Sequence, residues 1–155
     1  MDKGTLYYFD ITTGDPLFSG NHKITEDGAF YEVECVLSIN KEDGQEVNNI
    51  VTDMGLHPIR LTKIAYNNYL LNYLKKLRQT GLFKENRGLE VEVKVAMIQM
   101  TINFDHTSFF TTQRSIDIAQ EPDFDKWGSI MPLRTRSDGS KYFTVLRDAI
   151  EARAY

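Results

Sequence analysis

Cysteine is nearly missing from this chain: Cys35 stands alone in 155 residues. That excludes an internal disulfide framework and any cysteine-based zinc cluster. Long apolar runs are missing too, and no window approaches the ~18 consecutive apolar residues of a membrane-spanning helix. Neither G-x-x-x-x-G-K-S/T nor G-x-G-x-x-G occurs, so no glycine-rich phosphate loop is present and nucleotide-driven chemistry is not expected. The three histidines, His22, His57 and His106, stand at no metal-ligand spacing. The opening Met1-Asp2-Lys3-Gly4 carries no charged-then-apolar signal pattern, which predicts a cytoplasmic protein.

What is present suffices for a folded domain. Apolar residues make up 41% of the chain and charged residues 26%, a balance that excludes disorder. A chain of this length buries roughly 68–70% of its unfolded surface, and residues 1–155 read as one domain. Net charge is −4, but the charge is unevenly placed. Residues 1–58 hold three basic against eleven acidic residues, and residues 59–155 hold fifteen basic against eleven acidic. The stretch 60–87 is the most basic, with seven cations against Glu85 alone. Such a split suits local capture of an anion, head-to-tail stacking of copies, or simply a solvated helix face.

Three Asp-Gly pairs, at Asp27-Gly28, Asp43-Gly44 and Asp138-Gly139, mark tight turns between alternating runs. They predict strands near 6–12, 17–25, 29–39 and 45–53, with Tyr31, Val33, Cys35, Leu37 and Ile39 sharing one face of the third. A helix follows over 59–80, with Leu61, Ile64, Ala65, Leu70, Leu74 and Leu77 on one stripe, Pro58 at its start and Gly81 at its end. Residues 89–104 alternate as Leu89, Val91, Val93, Val95 and Met97 before the phase flips to Ile98, Met100, Ile102 and Phe104. Read as a strand, that flip requires a bulge or sharp bend. A turn at 104–107 and a returning strand at 108–118 complete a long bent hairpin. Residues 119–129 read as a loop, 130–136 and 141–146 as a last hairpin, and 147–154 as a short amphipathic helix.

Three strands, a helix and a long bent hairpin is the order of an OB-like small barrel. The expected fold is therefore α+β and β-rich: a barrel-like core over 1–118, then a loop, an extra C-terminal hairpin and a short helix over 119–155. A plain α+β sheet covered by one helix is the competing architecture.

No catalytic constellation emerges. Cys35 falls on an inferred buried face and reads as a small core residue. Asp105-His106-Thr107-Ser108 resembles one half of a paired His-x-Ser/Thr phosphate element, with no second copy, and reads as a turn. Asp123 with Asp125, and Glu42 with Asp43, lack the further oxygens of a calcium loop. The expectation is a non-enzyme with no cofactor and no metal. An OB-like barrel suggests single-stranded nucleic acid, with bases stacked on Tyr7, Phe30 or Phe109 and phosphates met by Lys94, Arg114, Arg134 and Arg136. A pI near 5.4 argues against it. The alternative is a self-assembling or partner-binding module, inhibitory or structural, of the kind carried by phages and mobile elements. Either way the partner is a polymer or another protein, the membrane is excluded, and a homo-oligomer is open.

Overall fold

The chain is described from a computed structural model at residues 2–119, 123 and 126–155. Strands β1 (Leu6–Asp10) and β2 (Pro16–Ser19) form an antiparallel hairpin, and β3 (Lys23–Asp27) and β4 (Phe30–Glu34) form a second. A short ribbon follows, β5 (Leu37–Ile39) with β6 (Glu46–Asn48), then the single-turn helix α1 (Asn49–Met54) and strand β7 (His57–Ile59). Two long helices come next, α2 (Lys63–Gln79) and α3 (Arg87–Met100). Strand β8 (Ser108–Thr111), helix α4 (Gln113–Ile118), strands β9 (Ile130–Thr135) and β10 (Lys141–Leu146), and strand β11 (Ile150–Ala154) complete the order.

Among the described residues the strands make three separate antiparallel sheets, not a closed barrel. Six strands run in the order β3-β4-β10-β9-β8-β7, three in the order β11-β1-β2, and β5 pairs only with β6. The Asp-Gly signals are each realised: Gly28, Gly44 and Gly139 all have positive φ in the turns that join their strands. The 59–80 helix is found as α2, beginning at the N-cap Thr62, whose Oγ1 accepts the N–H of Ala65 at 3.0 Å. Pro58 belongs instead to β7.

The OB-like barrel fails chiefly at 89–104. That stretch is not a bent strand but α3, capped by the Asn86 side chain, which accepts the Leu89 N–H. Its buried residues are Val93, Ala96, Met97 and Met100, a three-and-four spacing, while Val91, Val95 and Ile98 are exposed. The phase flip that demanded a bulge in a strand is the ordinary drift of a helix. Valines at every second position imitate strand alternation, and packing against α2 overrides their modest helix propensity. The tail is wrong in the opposite sense: 147–154 is a 3-10 turn followed by β11, which pairs with β1 through Leu6 opposite Ala154. The expected strand over 108–118 stops at Thr111 and turns into α4. Of the loop expected at 119–129, residues 120–122, 124 and 125 lie outside the described residues.

Two apolar cores lie on the two faces of the main sheet. One joins Tyr66, Leu70 and Leu74 of α2 and Met97 and Met100 of α3 to Phe109, Trp127 and Ile130. The other gathers Leu17, Phe18, Val33, Ile50, Met131 and Phe143. Neighbours Phe109 and Phe110 on β8 go to opposite cores, as the two-residue period of a strand requires. A sheet covered on both faces explains why Ile130, Met131, Pro132 and Leu133, four successive residues of β9, are all buried.

Candidate functional site

Helices α2 and α3 form a hairpin whose inner stripe docks on the sheet. Its outer side holds an apolar groove of about 600 Å³. Leu70, Leu71 and Leu74 supply one wall, Met97 and Ile98 the other. Leu70, Leu74 and Met97 are buried and form the floor, whereas Leu71 and Ile98 are 63% and 67% exposed and stand open to solvent at its mouth. Lys75, Arg78 and Lys94 stand at its rim. Arg78 Nε donates to Glu90 Oε1 at 2.6 Å and Lys94 lies 3.6 Å from the other oxygen, so Glu90 bridges the two helices. Arg78 thereby holds the Glu90 carboxyl below the ordinary carboxylate range. Residues 60–100 carry eight basic against three acidic residues, a net +5, leaving −9 for the rest of the chain.

A second feature sits where the β1–β2 turn meets α2 and α4. Asp10 is fully buried, yet its carboxylate accepts from the Thr12 N–H at 2.8 Å, the Thr12 hydroxyl at 2.7 Å, the Tyr73 hydroxyl at 3.0 Å and the Ser129 hydroxyl. Four donors match the acceptor capacity of an ionised carboxylate. Nearby, Asp15 accepts from Thr112 Oγ1 at 3.3 Å, and Arg114 Nη1 lies 3.6 Å away. Gly128 fits against this turn so closely that a Cβ there would lie 2.7 Å from Asp15 Oδ2.

The residues expected to bind nucleic acid do not gather on one surface. Phe109 is buried in the helix-side core, its ring centroid 4.6 Å from that of Tyr66. Tyr7 is buried, and its ring meets that of Tyr155 edge-on. Phe30 is partly buried and shares a cavity of about 240 Å³ with Arg134. Arg134 is spent on the end of α3, where Nη2 donates to the carbonyl of Met100 at 3.1 Å and approaches those of Gln99 and Ile102. Arg136 grips Glu34 and Glu32 on β4 and stacks over Tyr142 at 4.0 Å. Lys94 and Arg114 lie apart, one on the hairpin groove and one beside Asp15. The exposed pair Leu71 and Ile98 was missed by sequence reasoning. Leu71 was visible as an apolar residue standing beside, not within, the α2 stripe. Ile98 was concealed by the reading of its segment as a strand.

Two further polar groups are His22 and Cys35. His22 Nδ1 accepts the Ser19 N–H at 3.1 Å, so Nε2 is the protonated nitrogen that faces Asp53 at 2.9 Å. Burial pushes the Cys35 thiol up, which lowers its thiolate content. Among the described residues no group of three or more His, Cys, Asp or Glu side chains is placed to hold a metal ion. No helix there is long and apolar enough to cross a membrane.

The architecture defines a class: an α+β protein of antiparallel sheets crossed on one face by a helical hairpin. Residues 6–120 match the family described as translationally controlled tumour protein (TCTP), and the chain belongs to that family. It is 28% identical over 167 aligned positions to the translationally-controlled tumor protein homolog of Candida albicans, covering 91% of this chain and 93% of the relative. It is 25% identical over 177 positions to the homolog of Branchiostoma belcheri, covering 97% and 99%. The structure of the translationally controlled tumor-associated protein p23fyp of Schizosaccharomyces pombe matches with a TM-score of 0.75 at 22% identity, over 97% of this chain and 99% of that one. The Caenorhabditis elegans TCTP structure matches at 0.69 and 18%, over 97% and 98%. These neighbours carry the same fold and are not OB-like barrels. Family membership overturns both functional readings made from sequence, the single-strand nucleic-acid binder and the phage or mobile-element module.

Proposed function

We propose that this chain acts by binding, without chemistry of its own, and that the α2–α3 groove takes an amphipathic helix of a cytoplasmic partner protein, with acidic residues flanking its apolar stripe. One observation carries this reading: an apolar groove, open among the described residues, on a net-positive hairpin in a net-negative protein. An apolar stripe laid into such a groove gains burial of Leu71 and Ile98, and acidic flanks meet Lys75, Arg78 and Lys94. The absence of enzymatic chemistry is supported by the raised Cys35 thiol and by the structural engagement of His22.

The test uses two labelled helical peptides with the same leucine stripe, one flanked by Glu and one by Lys. Anisotropy should show saturable binding of the Glu peptide and at least tenfold weaker binding of the Lys peptide. Ile98→Lys and Leu71→Lys should each abolish binding while leaving the melting temperature in place, because both side chains already face solvent. Equal binding of the two peptides, or full binding by the variants, overturns the assignment.

A further inference from the structure

We propose that the cleft bounded by the β1–β2 turn, the end of α2 and the start of α4 binds a phosphomonoester of a small polyol, of the sugar-phosphate class. The cleft holds about 400 Å³ and is independent of the hairpin groove. Three cations reach it from three segments: Lys76 from α2, Arg114 from α4 and Lys126 from the approach to β9. Every other described side chain lining it ends in a hydroxyl or an amide, and among the described residues no carboxylate and no aromatic ring lines it. Two acids sit beside the cations without lining the cleft, Asp15 at 3.6 Å from Arg114 and Asp123 at 3.7 Å from Lys126. A third, Asp10, lies beneath and is saturated by its own donors.

Part of the donor set is placed before any ligand arrives. Lys76 Nζ is fixed by the Trp127 carbonyl at 2.6 Å. The contacts of Arg114 and Lys126 with their acids are too long for hydrogen bonds, so their N–H groups remain available to an incoming oxyanion. The Thr13 hydroxyl accepts from the Asp15 N–H at 3.2 Å and keeps its own proton to donate. Asp10 pins the turn through both the backbone and the hydroxyl of Thr12, and Gly128 closes on it from behind. The turn therefore loses little freedom on binding, whereas the exposed Arg114 and Lys126 side chains are ordered by the ligand.

Phosphate suits this donor set better than a carboxylate does. A phosphomonoester carries about −1.5 to −2 charges and three outer oxygens near neutral pH, enough for three converging cations. A guanidinium fork matches two of those oxygens at once. The volume exceeds that of a bare phosphate and falls in the range of small-molecule sites. With no ring and no apolar side chain lining it among the described residues, the space beside the phosphate fits hydroxyl groups, which Gln79 and Thr80 can meet.

Amide NMR on the labelled protein at low salt tests this, with glucose 6-phosphate, inorganic phosphate and glucose as probes. Glucose 6-phosphate should shift the amides of Thr12, Thr13, Thr80 and Arg114 saturably, and at lower concentration than inorganic phosphate. Glucose should shift none of them. Arg114→Gln and Lys126→Gln should each raise the dissociation constant by about tenfold, the scale of one charge-assisted contact. Lys41→Gln, an exposed cation in the β5–β6 turn, should leave it unchanged. Shifts spread evenly over the surface, no saturation by ~10 mM, unaltered affinity in the two cleft variants, or equal affinity for inorganic phosphate and the sugar phosphate would each overturn the proposal.

Discussion

Tyr73 and Asp10 meet across 63 positions of sequence, the phenol on α2 donating a 3.0 Å hydrogen bond to the carboxylate at the end of β1. Both are buried, so the bond ties the helical hairpin to the small three-stranded sheet through a desolvated charge. Tyr73→Phe keeps the ring and removes one of four donors to that carboxylate. A hydrogen bond to a charged group contributes about 1.5–3 kcal/mol, and Tyr73→Phe should lose that much in urea unfolding, with the slope unchanged. A loss under ~0.5 kcal/mol would mean the carboxylate does not depend on this donor.

Three tyrosines in a row on α2 set the alkaline limit of the fold. Tyr69 and Tyr73 are shielded from water, and burial pushes both phenols well above the ordinary range, with Asp10 adding to the effect. Burial raises Tyr66 as well. The neutral phenol is thus the form that the folded state keeps, whereas in the unfolded chain tyrosine ionises near pH ~10. Their contribution to stability is complete below that pH and declines as pH rises above it. Absorbance at 295 nm should show these three ionising together with the loss of circular dichroism. Smooth titration of all eight tyrosines before unfolding would contradict this burial.

Gly128 is a matter of space. A methyl group at this position would stand 2.7 Å from Asp15 Oδ2 and 3.1 Å from Thr13. Both neighbours are held by the turn, so neither yields cheaply. Gly128→Ala should cost about 1–3 kcal/mol, the usual range for overpacking a buried site. At ~2–4 °C per kcal/mol the melting temperature should fall visibly. An unchanged melting temperature would show that the turn shifts without cost.

The parts of the fold legible in sequence are those fixed by local chemistry. The Asp-Gly turns, the stripe of α2 and the β9–β10 hairpin each declare themselves within a dozen residues. Helix α3 does not, because Val91, Val93 and Val95 alternate like a strand and only the partner helix settles which of them is buried. The same holds for β11, whose identity depends on β1 lying beside it nearly the whole chain away. Site legibility follows the same rule. The basic character of 60–87 could be counted, but no count shows that Arg134 and Arg136, expected to meet phosphates, are committed to partners within the fold. The Asp10 knot joins residues from β1, α2 and the approach to β9, and no sequence window contains them.

Phe109 separates a stacking platform from a core residue on one strand. Its neighbour Phe110 faces the opposite core, so β8 has no solvent side at this pair. Phe109 packs on Tyr66 and Phe104, with ring centroids 4.6 and 5.4 Å away. Phe109→Ala should therefore cost about 3–5 kcal/mol, the range for emptying a buried aromatic site. Arg114→Ala removes a half-exposed contact and should cost no more than ~1 kcal/mol. Denaturant curves of the two variants decide the matter: a large loss at Phe109 with near-silence at Arg114 marks a core ring beside a surface cation. Similar small losses at both would place the ring in solvent and remove the helix-side core from its assigned position.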